Sequence, residues 1–211
     1  MNPRFELVMD SLPLDALEVE LVVAGFFLED RPLRGGAGRI DWRLCGLISE
    51  MLASGQLDAR RGTALLVGAP GAFCAPRILL VGLGSRAEFG VAPAQDSMRE
   101  AMKRCIALGV HRIGLSPLGI ASDDFVRHAV AVAGGVAEAI QGLEVVGGGG
   151  DEFEIRLSVP EAGIDAASEA LERAVGAFEN HEFVARPRAR RQHSPSPQGG
   201  RRPAELTYSQ P

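Results

Sequence analysis

A short run of small and basic residues follows an apolar segment and is the part of the sequence best suited to hold an anion. It contains Gly82, Gly84, Ser85 and Arg86. Glycines let a backbone approach a phosphate closely, free amides point toward it, and Arg86 would add positive charge. The run satisfies neither GxGxxG nor GxxxxGK[ST], and the next predicted helix begins only near Pro93. The alternative is structural: the glycines merely let the chain turn away from a buried strand.

The other residue types that carry chemistry are scattered. The four His have no second His or Cys at ligand spacing, and the three Cys form no CxxC pair. Neither a metal site nor a disulfide framework is therefore predicted. Cys74 lies in a Pro/Gly loop and is the one thiol with a predicted route to solvent. The sequence has no GxSxG elbow for Ser-His-Asp chemistry. We therefore expect no complete catalytic constellation, and no cofactor is predicted.

Length and composition indicate one globular domain with a tail. The chain has 211 residues, 46% of them hydrophobic and 23% charged, which suffices for a substantial core. No signal-peptide pattern is present, and no apolar run approaches the roughly 18 to 20 residues that cross a membrane. Three widely spaced cysteines are typical of a reducing compartment. We expect a cytoplasmic protein.

Charge is unevenly distributed along the chain. The net charge is −5, yet the last 32 residues carry six Arg against two Glu. From residue 185 onward apolar content collapses, so this segment is predicted to be disordered. Its basic cluster could contact nucleic acid by neutralising phosphates, whereas the alternative is a solubilising end. The candidate contact residues are Arg186, Arg188, Arg190 and Arg191.

The apolar pattern predicts a three-layer α/β fold. Residues 65–67 and 78–81 are continuous apolar runs, so both are expected to be strands covered on both faces. The breakers in residues 68–76 separate them. Further strands are predicted at residues 17–28, 112–115 and 153–159, and helices at 39–54, 93–108, 124–143 and 163–178. The alternating run 153–159 is expected near an edge of the sheet.

The predicted organisation is therefore a loose arm at residues 1–16, a domain at 17–180 and a basic tail at 181–211. The domain is predicted to hold about five or six mainly parallel strands flanked by helices.

This order of elements resembles the N-terminal domain of the leucyl aminopeptidase, or peptidase M17, family. The resemblance rests on VVAGF at residues 22–26, LASGQLDARRG at 52–62, and residues 63–66 and 77–84. It spans roughly residues 17–145 and implies a macro-domain-like α/β fold. In that family, peptide hydrolysis belongs to a separate C-terminal domain that binds two metal ions. That domain contains an Asn-Thr-Asp-Ala-Glu-Gly-Arg stretch, which is absent here.

The resemblance implies a non-catalytic domain without peptidase activity or metal. In the family this domain helps to organise a hexamer, so a homo-oligomer or an aminopeptidase-like partner is expected. A second hypothesis is a macro-type binder or hydrolase of ADP-ribose or a nucleotide, with the phosphates over Gly82, Gly84, Ser85 and Arg86. A third is nucleic-acid contact through the basic tail, since some family members bind DNA.

Overall fold

The computed structural model describes residues 4–69, 71–118 and 152–176, the short segment 188–190, and residues 124, 127, 131–132, 134–136 and 138–139. The strands are β1 (Arg4–Asp10), β2 (Leu21–Phe26), β3 (Ala64–Gly68), β4 (Arg77–Gly82), β5 (Arg112–Leu115), β6 (Glu152–Ser158) and β7 (Arg188–Arg190). They form one sheet in the order β3-β4-β2-β5-β6-β1-β7. Every neighbouring pair is parallel except β3, which runs antiparallel to β4.

Helices cover both faces of the sheet. They are α1 (Gly35–Arg43), α2 (Leu47–Ala53), α3 (Val91–Ala107) and α4 (Ile164–Gly176), and the described residues between 131 and 139 are also helical. Alternate residues of β2 enter two separate cores, Val23 with α3 and α4, and Val22 with α1 and α2. This alternation is the consequence of a sheet buried on both faces. The predicted three-layer α/β fold with mainly parallel strands is confirmed.

The single helix predicted at residues 39–54 is wrong, because the structure divides it into α1 and α2. The break lies at Cys45 and Gly46, whose φ angles are +55° and +86°. Residues in the left-handed region cannot continue a right-handed helix, and Gly46 adopts it without steric cost. Asp41 joins the two helices by accepting hydrogen bonds from the N–H and Oγ of Ser49, at 2.9 and 2.6 Å.

The loose arm predicted at residues 1–16 is wrong for Arg4–Asp10, which form β1 in the interior of the sheet. Leu7 and Met9 are fully buried and belong to the core beneath α3 and α4. The run 153–159, expected near an edge, forms β6, which lies two strands from the β7 end of the sheet and is flanked by β1 and β5. The polar residues of β6 tolerate this position because Arg156 pairs with Glu154 and lies 3.7 Å from the buried Asp10 carboxylate.

Residues 65–67 and 78–81 were both predicted to be strands covered on both faces. The second, β4, is buried as predicted, whereas the first, β3, is not. It forms an edge of the sheet, with Ala64, Leu66 and Gly68 exposed. The predicted helix at 93–108 is confirmed as Val91–Ala107. Within the tail predicted to be disordered, Arg188–Arg190 instead form β7 alongside β1. The rest of that tail and most of the predicted helix at 124–143 lie outside the described residues.

Candidate functional site

The parallel strands β4, β2, β5, β6 and β1 have their carboxyl ends on the same side of the sheet, which we call the carboxyl edge. In α/β folds the crevice at the carboxyl ends of the strands is the usual place for a ligand. Two features occupy this edge: a cleft beside the start of α1, and the loop that contains Gly82 and Arg86.

The cleft has a volume of about 270 Å³, near the lower end of the range for small-molecule pockets. It lies between the segment that follows β1, the start of α1, and the residues that follow β5 and β6. Its lining includes Leu14, Gly35, Gly36, Arg39, Ser116, Ser158 and Val159. The lining thus combines the start of a helix, the Arg39 guanidinium, serine hydroxyls and apolar side chains, a mixture that suits an organic anion.

Gly36 allows α1 to begin directly against the end of β5. A Cβ at Gly36 would lie 2.4 Å from Ser116 Oγ and 3.2 Å from Ala24 Cβ, so no larger residue fits there. Ser116 in turn donates its N–H to the carbonyl of Val23 at 3.0 Å. Neither this glycine nor the cleft was predicted from the sequence. The signal was a pair of glycines immediately before an amphipathic segment.

Arg39 is fixed at the cleft by Asp15. Its Nε donates to Asp15 Oδ1, and Arg43 Nη2 lies 3.1 Å from Asp15 Oδ2. Burial of Asp15 opposes its ionisation, but the hydrogen bond from Arg39 and the charges of both arginines outweigh it and hold the pKa of Asp15 below its usual value. The Arg39 side chain remains 45% exposed, and is therefore accessible to a molecule in the cleft.

In the loop after β4, the predicted anion-binding groups contact carboxylates of this chain. Ser85 Oγ donates to Glu29 Oε1 at 2.7 Å, and the N–H of Arg86 donates to Glu29 Oε2 at 3.0 Å. These two hydrogen bonds hold the pKa of Glu29 below its usual value. Arg86 Nη2 lies 2.5 Å from Asp30 Oδ1, and the guanidinium stacks 4.1 Å above the Phe27 ring. A phosphate at this loop would have to displace both carboxylates.

The glycines of the same loop contact the turn before β3. A Cβ at Gly82 would lie 2.4 Å from the carbonyl oxygen of Arg60. Gly84 has a φ of +77° and donates its N–H to the carbonyl of Ala59 at 2.9 Å. Both contacts give these glycines a structural role. Ligand binding by Gly82, Gly84, Ser85 and Arg86 stays a prediction.

The remaining candidates are the three cysteines, possible metal ligands and the arginines of the tail. Cys45 and Cys74 are exposed, while burial raises the pKa of the Cys105 thiol to about 12. Within the described ranges, no group of three or more His, Cys, Asp or Glu side chains is arranged to hold a metal ion. None of the described helices is both long and apolar enough to span a membrane. Nucleic-acid contact by Arg186, Arg188, Arg190 and Arg191 stays a prediction.

Several large apolar side chains lie on the surface. Trp42, the only Trp of the chain, is 75% exposed on the outer side of α1. Leu47 at the start of α2 is 39% exposed, and Leu66 of β3 is 46% exposed. Sequence reasoning did not identify them, because which apolar residues stay exposed is decided by how the elements pack.

The fold is that of a macrodomain-like α/β protein, as two solved structures show. A mutant of tomato leucine aminopeptidase aligns with a TM-score of 0.62 and 17% identity, over 84% of this chain and 36% of that one. A Trypanosoma brucei macrodomain, solved in complex with ADP, aligns with a TM-score of 0.59 and 15% identity, over 82% of this chain and 69% of that one.

Sequence comparison identifies the family. The model of the cytosol aminopeptidase family, N-terminal domain, matches residues 22–142. A probable cytosol aminopeptidase of Xanthomonas oryzae pv. oryzae is 34% identical over 139 residues, which is 63% of this chain and 28% of the relative. The chain belongs to this family and contains its N-terminal domain, which confirms the resemblance noted from the sequence. It spans less than a third of the length of that curated relative.

Proposed function

We propose that this chain is a non-catalytic domain of the cytoplasm that acts by self-association or by contact with an aminopeptidase-like protein. The observation that carries the proposal is the set of large apolar side chains on its surface, led by Trp42 at 75% exposure. The name of the relatives, cytosol aminopeptidase, supports the cytoplasmic location. The match to the N-terminal domain of that family supports a role in assembly.

The energetic reason is the free energy of removing apolar surface from water, about 25 cal/mol per Å². Trp is enriched among the residues that contribute most to protein interfaces. Trp42 lies at the end of α1 and Leu47 at the start of α2, so the two residues flank the turn that joins these helices. Leu66 provides a second apolar position, on the β3 edge.

Sedimentation velocity over a range of protein concentrations tests the proposal. Self-association predicts a sedimentation coefficient that rises with concentration above that of a single chain. Co-sedimentation with a purified full-length cytosol aminopeptidase tests the second arm, namely docking onto a related enzyme. A chain that stays monomeric at all concentrations and does not bind the enzyme would contradict the proposal.

The cleft supports a second candidate function, the binding of a small phosphate-containing ligand. Its position at the carboxyl edge of the sheet and its guanidinium favour an organic anion. The similar macrodomain of Trypanosoma brucei was solved with ADP. We therefore place the ligand of this hypothesis beside Arg39, whereas the sequence had placed it beside Arg86.

Thermal unfolding with ADP and with ADP-ribose tests this candidate. A ligand at ~100 times its dissociation constant stabilises the folded state by about 2.7 kcal/mol. Arg39→Gln should abolish the shift, whereas Arg86→Gln should leave it intact. These variants are a matched pair, because each arginine is anchored by an aspartate of this chain, Asp15 or Asp30. The absence of any shift with either nucleotide would eliminate the hypothesis.

A further inference from the structure

Among the residues that the structure describes, no strand pairs with the outer side of β3. We propose that a second copy of this chain docks there by placing its own β3 antiparallel to the first, with Leu66 on the twofold axis. This inference rests on the proposed self-association and names the surface that carries it. Edge strands are templates for added strands, and proteins usually protect them with Lys, Pro or a bulge. The five residues of β3, ALLVG, include neither Lys nor Pro, and their pairing with β4 has no bulge.

The backbone of β3 fixes which groups are available. On the side that faces β4, the carbonyl of Thr63 accepts from Gly82 at 2.8 Å, and the N–H of Ala69 donates to Pro76 at 3.0 Å. In an antiparallel ladder the residues that bond one neighbour alternate with those that point away. The odd-numbered residues therefore bond β4, and Ala64, Leu66 and Gly68 direct their N–H and C=O groups outward.

A twofold axis at Leu66 pairs these outward groups with one another. Leu66 then lies opposite Leu66 of the second copy, and Ala64 lies opposite Gly68 of the second copy. Each such pair exchanges two N–H···O=C bonds. An axis at Leu65 or Val67 would pair only two of the three outward residues of β3 with one another. The axis at Leu66 is therefore the register that uses all three.

The side chains of β3 are also complementary to themselves in this register. Leu65 lies opposite Val67 of the second copy, and both pack at the rim of the core beneath α1 and α2, so the pairing continues that core across the interface. On the other face, the exposed Leu66 side chains of the two copies meet. Like charges opposite each other would oppose pairing, but the five residues of β3 carry no charge. These features favour a second copy over a charged partner.

The size of this contact predicts its strength. Paired strands of five residues bury less surface than the roughly 1,200 Å² typical of stable interfaces, so the dimer should be weak and should depend on concentration. It would also be isologous, with the same patch on both copies, and would therefore close at two chains.

Disulfide trapping tests the register. Opposed residues of a hydrogen-bonded antiparallel pair have Cα atoms about 5.5 Å apart, within the roughly 4.4–6.8 Å that a disulfide requires. Leu66→Cys is made in a background in which the exposed Cys45 and Cys74 are replaced by Ser. Leu108→Cys in the same background is the control, because Leu108 is 39% exposed at the end of α3, outside the β3 edge.

Copper-phenanthroline oxidation should convert most of the Leu66→Cys protein to a covalent dimer and leave the Leu108→Cys protein monomeric. Leu66→Lys, which opposes two ammonium groups across the axis, should lower the dimer fraction in sedimentation equilibrium. If the parent protein associates but Leu66→Cys does not crosslink and Leu66→Lys associates normally, the β3 interface is wrong and self-association stands. If the parent protein is always monomeric, the proposed self-association itself fails.

Discussion

Leu66 of β3 lies directly opposite Leu79 of β4 on the same face of the sheet, yet Leu66 is 46% exposed and Leu79 only 2%. Leu79 belongs to the core beneath α3, whereas Leu66 lies beyond the cover of that helix. Two leucines that face each other on neighbouring strands therefore have different roles. One stabilises the fold, and the other is available to a partner.

This contrast predicts very different costs of truncation. Leu79→Ala should lower the free energy of unfolding by about 2–5 kcal/mol, because it leaves a cavity in the core. Leu66→Ala should change it by no more than about 0.5 kcal/mol, as expected for an exposed position. Urea denaturation at low protein concentration measures both without a contribution from association. Similar losses for the two variants would show that Leu66 is part of the core.

The ion pairs of Asp15 predict a dependence of stability on pH. Because the folded protein holds the pKa of Asp15 below its usual value of about 3.9, its contribution is fully present above that value and is lost as the pH falls through the lower folded pKa. Asp15→Asn should cost about 1.5 kcal/mol at neutral pH, the low end of the range for charged hydrogen bonds, since Arg39 and Arg43 are partly exposed.

The control for this prediction is Asp58→Asn, which removes an exposed ion pair with Arg60 and should have little effect. Chemical denaturation of the three proteins at several pH values is the measurement. The loss in free energy of unfolding caused by Asp15→Asn should become smaller as the pH is lowered. A deficit that stays constant below pH about 3 would mean that the Asp15 charge is not its cause.

Close packing of two helices predicts that a glycine on their contact is needed. A Cβ at Gly135 would lie 2.6 Å from Met98 Cβ and 2.8 Å from the Gln95 carbonyl oxygen. Ala is favoured over Gly by about 1 kcal/mol within a helix, but the clash should reverse this gain and destabilise Gly135→Ala by about 1–3 kcal/mol. Gly90→Ala is the control, because the corresponding Cβ meets nothing within 4 Å. Thermal unfolding distinguishes them, and equal midpoints would contradict the close contact.

The thiols should fall into two classes. Cys45 and Cys74 are exposed, whereas burial raises the pKa of Cys105 to about 12, an effect that the charges of Arg77 and Arg104 only partly offset. Because the thiolate is the reactive form, Ellman's reagent should label two thiols of the folded protein quickly. The third should react only after addition of guanidinium chloride. Rapid reaction of all three thiols in buffer would show that Cys105 is accessible.

The sequence predicted those elements whose patterns are local. The continuous apolar run of β4 was sufficient to predict a buried strand. Pro93 and Gly109 were sufficient to predict a helix between them, and Gly109 adopts a φ of +63° just after the end of α3. The position of a strand in the sheet is not local. Residues 65–67 look the same whether a further strand covers them or not, so the sequence could not show that β3 is an edge.

The candidate site illustrates the same limit. The residue types of the loop after β4 led to the prediction of an anion site, but their carboxylate partner Glu29 lies 56 residues away from Ser85 in the chain. The cleft likewise depends on Gly36 meeting Ser116, which are neighbours only after the sheet has formed. Pairings between distant segments are set by tertiary packing, for which a single sequence carries no direct signal.

The most direct test of the central claim is sedimentation equilibrium of the purified chain over a wide range of concentration. Self-association predicts that the apparent mass rises from the 22.3 kDa of one chain toward that of two, and that Leu66→Lys shifts this transition to higher concentration. An apparent mass that stays at one chain throughout the range would contradict self-association. Function would then have to lie in a different partner or in the cleft beside Arg39.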